Sequence, residues 1–426
     1  MMWFVLACST DSITKVESME TVIVDRSDRL FAPLRECSDT APPIVAVHGF
    51  LASGDTFEGH ASRWAANGHC LDRFFALDWN TFDQESGLLT LDSYIDVVRE
   101  ETGAEKVDLI GHSAGAGLSL AYVRGQGSEK VRKLAYVGFS PDANLPEIPM
   151  LNLWSVADLA VQGGSIDGAE NIQLTEEDHY QIATSADSFA AIYEFFYEKE
   201  PDTVELQADD TNELWGKALY FGENEAIKGV SIEAYRLDPA SGRRLNQVPD
   251  FLFTTGAYGL WGPLSTSSDE LWEITLLADP EIPVRHFYAP FAQSSYGVRL
   301  RGIPEEGLAA TILAGVPFEA QETVNMVTFF KQQSVFSDRD SLVIDDVEMV
   351  TSERASAEDT IIAMFHFDSG LDGEAGADPV QFGSFPFMAG TDSVWEADEQ
   401  SFFTVQFNQQ HRVLPRWGNG VVLAIY

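Results

Sequence analysis

The chain has 426 residues, enough for two or three domains that each bury a core. Its 45% hydrophobic and 22% charged content is that of an ordinary globular protein. With 67 acidic against 26 basic side chains, a formal net charge of −41 repels nucleic-acid phosphates and anionic headgroups, so nucleic acid is not an expected partner. The bases are 18 Arg and 8 Lys. Such a surface suits a salty environment, where screening weakens self-repulsion, and equally an acidic secreted protein. No apolar stretch approaches the ~18 residues of a membrane span.

The chain opens on an apolar run, Met1 to Leu6, followed by Ala7-Cys8-Ser9. This resembles the end of a lipoprotein signal in which Cys8 would be lipidated, although it lacks a basic n-region and its apolar stretch is short. Residues 1–18 are therefore expected to be an export or lipoprotein signal, leaving the protein extracellular or anchored through Cys8. Export would allow a Cys37–Cys70 bridge, which the sequence leaves open.

From residue 19 to 202, short apolar runs alternate with helical patterns, as in a parallel sheet covered by helices. Ile44–Val47 and Phe74–Leu77 read as strands. Leu91, Tyr94, Ile95 and Val98 share one helical face, which predicts a helix over 91–102 capped by Thr90 and stopped by Gly103. Val107–Ile110 is a strand that runs into Gly111-His112-Ser113-Ala114-Gly115 and a small-residue helix. Further strands are expected over 134–139, 151–156 and 171–174, and a closing helix over 189–199. This unit is expected to fold on its own.

From about residue 203 the alternation has period two, as in Trp272, Ile274 and Leu276, and Gly/Pro turns recur. An all-β region is expected, as one or two sandwich or barrel modules, with a boundary near Pro280–Pro283 separating 203–281 from 282–426.

The pentapeptide around Ser113 is Gly-x-Ser-x-Gly between a buried strand and a helix, the setting of a nucleophile elbow. Such a turn lifts the hydroxyl above the sheet and aims the next helix N-terminus at developing negative charge. A serine hydroxyl needs a base, and the base an orienting carboxylate. Of the four histidines after the elbow, His286, His366 and His411 lie in the β-rich half, where structural roles are commoner. His179 lies between the last candidate strand and the closing helix and is the expected base. Asp158, on a short loop after a strand, is the expected acid, with Asp142 the alternative. His48-Gly49-Phe50 ends the first strand; the Phe50 and Ala114 N–H groups are the expected oxyanion hole, with Leu51 the near miss.

These marks carry a resemblance. Val47-His48-Gly49-Phe50 with Ser53-Gly54, the elbow, Ser155 with Asp158, and Asp178-His179 make residues 40–200 similar to bacterial and archaeal lipases. The β-rich remainder resembles the C-terminal lipid-binding domain of an archaeal long-chain lipase family, on Arg285 to Tyr288, Phe365 to Asp368 and Val413 to Trp417. The resemblance implies an α/β-hydrolase domain followed by an all-β region, acting on carboxylic esters such as acylglycerols through Ser113, Asp158 and His179. It implies no cofactor and no metal. Asp368 and Asp372-Gly373 suggest a calcium loop, but Gly370 and Pro379 stand where ligands belong, so an acidic turn is expected.

The expected partner is a lipid or small ester, and the β-rich half is a candidate for peripheral contact with a lipid interface. The segment from Ser113 to Asp158 is too short for the helical lid of many lipases. The site is therefore either open or covered by the β-rich half, which would then favour long acyl chains. A polyester depolymerase or thioesterase is the alternative on the same fold, and an inert binding protein is the reading from a different class.

Overall fold

The computed structural model describes residues 30–32, 39–142, 144–356, 358, 360–376, 378–380, 382, 385 and 387–426. The expected signal with Cys8, and Cys37, lie outside the described residues. Cys70 is disulfide-bonded.

The N-terminal half runs β1 (Ile44–Val47), α1 (Glu58–Ala66), β2 (Phe74–Leu77), α2 (Gln84–Thr102), β3 (Val107–His112), α3 (Ala114–Arg124), β4 (Val131–Val137), β5 (Met150–Ser155), β6 (Glu170–Leu174) and α4 (Ala186–Tyr197). Its six strands form a parallel sheet in the order β2-β1-β3-β4-β5-β6. Alternate strand residues feed two cores. Val45, Val47, Leu109 and Tyr136 pack under α2 and α3. Ile44, Ala46, Ile110 and Val137 pack against Trp64 of α1 and Phe189, Ile192 and Phe196 of α4.

Helix α2 starts nearly two turns before the expected Leu91. The Asp83 carboxylate accepts the Ser86 N–H, so Asp83 is the cap, and Thr90 turns its hydroxyl back onto Ser86 O inside the helix. The added turns leave Leu89 exposed and pack Gly87 against Trp79, where a Cβ would lie 2.8 Å from the ring. Leu88, packed on the core, and Leu89, exposed, stand side by side there and blur the apolar period. Gly103 ends the helix at φ 67°.

The β-rich half consists of β7 (Thr211–Tyr220), β8 (Ser231–Leu237), β9 (Phe251–Thr254), β10 (Leu260–Ser267), β11 (Leu271–Leu277), β12 (Val284–Phe287), β13 (Ser295–Gly302), α5 (Gly307–Leu313), β14 (Asn325–Phe329), β15 (Leu342–Ile344), β16 (Val347–Glu348), β17 (Ala363–Phe367), β18 (Pro379–Val380), β19 (Met388–Asp392), β20 (Asp398–Phe407), β21 (Gln410–Arg416) and β22 (Val421–Ile425). A nine-stranded sheet, β18-β19-β17-β14-β22-β12-β11-β8-β9, lies at its centre. Along β22, Val421, Leu423 and Ile425 join a core with the three-stranded sheet β10-β7-β13, while Val422 and Ala424 join a core with the four-stranded sheet β16-β15-β20-β21.

The module boundary expected at Pro280–Pro283 is not a break. β11 and β12, on either side of it, are an antiparallel pair, and β13 runs parallel to β7 across it. Asp279 accepts the Glu281 and Ile282 N–H groups, so the two prolines belong to a hairpin turn inside one sheet. Turn chemistry looks the same in a hairpin and in a linker.

The two halves share buried charge. Arg301 of β13 pairs with Asp55 at 2.7 Å, and Arg299 pairs with Asp78 at 3.0 Å, with all four side chains at most 9% exposed. Lys331 pairs with Glu58, and Arg339 with Asp178 at 2.8 Å. Burial alone would push the Asp55 and Asp78 carboxyls up; Arg301 and Lys331 hold the first, and Arg299 and Lys217 the second, below the ordinary carboxylate value. Leu51, in the N-terminal half, is buried in the core of the β-rich half.

A fragment ending at residue 202 would therefore expose Leu51 and strand four carboxylates, of which Asp55 and Asp78 are the most deeply buried. Removing one partner of a buried pair costs about 3–5 kcal/mol, and two such losses rival the roughly 5–15 kcal/mol that holds a typical domain together. We expect this fragment to lack a cooperative thermal transition in calorimetry, against the expectation of independent folding; a soluble fragment that melts cooperatively would contradict the shared interface.

Candidate functional site

The site is built at the carboxyl ends of β1, β3 and β5, where open α/β sheets place their chemistry. β3 runs directly into Ser113, which takes φ 52° and ψ −124° before α3 begins. A non-glycine residue in this region is strained, and its surroundings must hold it there. The Ser113 N–H donates to Val137 O at 3.0 Å. The flanking glycines are required by close approach. A Cβ at Gly111 would lie 2.6 Å from Gly115 O, and one at Gly115 would lie 2.3 Å from Val47 O. These contacts let the start of α3 pack against the end of β1.

His179 stands in the loop between β6 and α4. Its Nε2 is 2.9 Å from Ser113 Oγ and its Nδ1 is 2.8 Å from Asp158 Oδ2. Asp158, just beyond β5, has a nearly buried side chain whose other oxygen accepts the Ala160 and Val161 N–H groups at 3.0 Å each. A carboxylate fixed at one oxygen and facing Nδ1 at the other selects the imidazole tautomer with its lone pair on Nε2. Asp142, the alternative acid, is instead exposed and pairs with Arg124 at 2.8 Å. The structure brings Ser113, His179 and Asp158 together and leaves Asp142 out.

The loop after β1 approaches from the other side. A Cβ at Gly49 would lie 3.0 Å from Ser113 Cβ, so Phe50 follows directly at the nucleophile. The Leu51 N–H is engaged by Thr81 Oγ1 at 3.2 Å, whereas the Phe50 N–H has no acceptor among the described residues. The Ala114 N–H, at the first position of α3, has no intrahelical acceptor. Among the described residues, two N–H groups without an acceptor thus flank Ser113.

Two further histidines shape the site. His48 is fully buried; its Nδ1–H donates to Gly49 O at 2.8 Å and its Nε2 accepts the Trp79 N–H at 3.3 Å. Burial pushes its pKa down to about 4, so it stays neutral. His112 donates Nε2–H to His179 O at 2.8 Å, and burial holds it well below the ordinary histidine value. It steadies the backbone of the residue whose ring faces Ser113. The remaining histidines of the β-rich half sit apart: His286 and His366 are buried within the nine-stranded sheet, and His411 is exposed.

Sequence reasoning did not find Asn224, whose amide reaches Ala52 O at 2.8 Å, or Arg301, which reaches Ser53 Oγ at 2.9 Å. One signal was present: Arg299 and Arg301 alternate with Val298 and Leu300 in an otherwise apolar strand. Buried guanidinium groups need carboxylates, but the sequence does not say which.

Residues 42–163 match the family described as alpha/beta hydrolase fold, and residues 210–303 match the lipase C-terminal domain. Among solved structures, a bromoperoxidase from Bacillus anthracis is 14% identical, with 38% of this chain and 94% of that one covered at a TM-score of 0.32. A carboxylesterase from Bacillus subtilis is 11% identical, over 38% and 85%, at 0.28. Lipase B of Aspergillus fumigatus is 10% identical, over 47% and 64%, at 0.32.

If Asp158 orients His179, Asp158→Asn should cut kcat on a nitrophenyl ester by about 10⁴-fold, as misplacing the tautomer does in such triads. Asp142→Asn should leave kcat within about twofold, since an exposed ion pair is worth little. Comparable losses in the two variants would contradict the placement of the acid.

Proposed function

We propose that this chain, an α/β-hydrolase domain followed by a β-rich C-terminal region, hydrolyses carboxylic esters with Ser113 as nucleophile. The observation that carries the reading is the continuous hydrogen-bonded chain from Asp158 through His179 to Ser113 Oγ. Ser113 Oγ attacks the acyl carbon while its proton passes to His179 Nε2, and the Asp158 carboxylate stabilises the imidazolium. The carbonyl oxygen becomes an oxyanion that accepts from the Phe50 and Ala114 N–H groups at the positive end of α3. The leaving alcohol takes its proton from His179. Water, deprotonated by the same nitrogen, then attacks the acyl-enzyme and releases the acid and Ser113.

An acyl chain is the substrate part best matched to the surroundings. Phe50 meets Phe82 edge-on at 5.4 Å, and it stacks on Phe385 and touches Phe387 of the β-rich half at 6.5 and 6.0 Å. Val156 and Leu159, on either side of Asp158, are 57% and 65% exposed and make an apolar rim. We read the protein as a lipase or esterase that takes fatty-acid esters, with the aromatic residues of the β-rich half in the role of a lid. The disulfide at Cys70 supports export, since such bonds persist in oxidising compartments.

Ser113→Ala should abolish ester hydrolysis and fluorophosphonate labelling while the melting temperature stays near that of the parent protein. Wild-type-like turnover in that variant would remove Ser113 from the mechanism. Phe387→Ala should lower kcat/KM for long-chain nitrophenyl esters about tenfold more than for acetate, because two unshielded methylenes are worth roughly 1.6 kcal/mol. An unchanged chain-length profile would separate the β-rich half from acyl recognition.

A further inference from the structure

The loop that presents Phe50 is held by residues outside its own half of the chain. Asn224, between β7 and β8, donates from Nδ2 to Ala52 O at 2.8 Å and to Trp79 O at 3.1 Å. Arg301 donates to Ser53 Oγ at 2.9 Å and to the two Asp55 carboxylate oxygens at 2.9 and 2.7 Å. Arg301 is itself pinned. Its backbone N–H donates to His286 Nε2 at 2.8 Å, while His286 Nδ1 donates to Ile274 O at 3.1 Å within the nine-stranded sheet. Just before these attachments Leu51 takes φ 58° and buries its side chain in the core of the β-rich half.

We propose that Asn224 and Arg301 are positioning residues of the oxyanion hole, which hold the Phe50 N–H where negative charge develops on an acyl group at Ser113. The inference rests on the reading of Ser113 as nucleophile given above. A left-handed leucine stores backbone strain, so the loop relaxes unless its neighbours over-determine it. The Ala52 N–H closes a turn onto Gly49 O at 3.3 Å, and the next anchoring points, Ala52 O and Ser53 Oγ, are both bound from the β-rich half. A donor displaced by 1 Å no longer meets the oxyanion, and errors of that size cost about 10²-fold in rate.

The test uses full-length Asn224→Ala, Arg301→Met, Arg301→Lys and Arg244→Met, with kcat and KM on a nitrophenyl ester and the affinity of an alkylboronic acid, which becomes tetrahedral on a serine. Asn224→Ala and Arg301→Met should lower kcat by about 10²-fold, leave KM within about threefold, and weaken the boronic acid in parallel. Arg301→Lys should recover part of the loss, because an ammonium keeps a charge against Asp55 but lacks the fork that also reaches Ser53. Arg244→Met breaks the buried pair with Glu273 inside the β-rich half; it should lower the melting temperature and leave kcat unchanged. Unchanged kcat in folded Asn224→Ala overturns the proposal, and so does an equal loss of kcat in Arg244→Met. Failure of the wild-type protein to react with a fluorophosphonate at Ser113 overturns the underlying reading instead.

Discussion

A backbone N–H stabilises an oxyanion only if the chain behind it is rigid before the charge appears. On the mechanism proposed above, the loop from His48 to Phe57 must meet that requirement while bending through a left-handed leucine. Most of this structure can be understood as the means of holding that bend. From inside, Gly115 lets α3 press against Val47 and His48, and the His48 imidazole ties Gly49 to Trp79. From outside, β13 and the segment after β7 hold the residues that follow.

Buried ion pairs are a costly way to join two halves of a protein, because desolvation offsets much of the attraction. Here they do something apolar packing does not. Asp78 accepts both the Arg299 Nε–H and the Gly54 N–H, and Asp55 sits between Arg301 and Ser53, so each carboxylate fixes a guanidinium and the loop together. With so few basic residues in a chain of net charge −41, several of its arginines are spent at the seam. Arg339 repeats the pattern on the other loop of the site. It pairs with Asp178, beside His179, whose carboxylate also accepts the Tyr180 and Gln181 N–H groups. The halves are thus joined at the loops around Ser113.

The N-terminal half was legible because its chemistry is local. The strand, tight turn and helix around Ser113 are fixed by steric demands that leave Gly111 and Gly115 in the sequence, and His179 and Asp158 follow in chain order on loops after strands. Boundaries were less legible. Helix α2 begins at Gln84 because Asp83 caps it and Gly87 nests on Trp79, and neither feature has an apolar period. In the β-rich half, strands were readable from alternation but their partners were not. β12 and β14 both pair with β22, the last strand of the chain, and no turn residue announces so long a connection. The roles of Asn224 and Arg301 were hidden for the same reason, since each acts on a loop far away in sequence.

The central claim is that Phe50 and Ala114 present free N–H groups to an oxygen held at Ser113. It is tested most directly by a crystal structure of the full-length protein inactivated with an alkyl phosphonate. The account predicts phosphorus bonded to Ser113 Oγ, with one phosphonyl oxygen about 3 Å from both the Phe50 and Ala114 nitrogens and the alkyl chain running toward Phe387. A phosphonyl oxygen bound by Leu51 or by a side chain instead, with Phe50 N–H turned away, would contradict it.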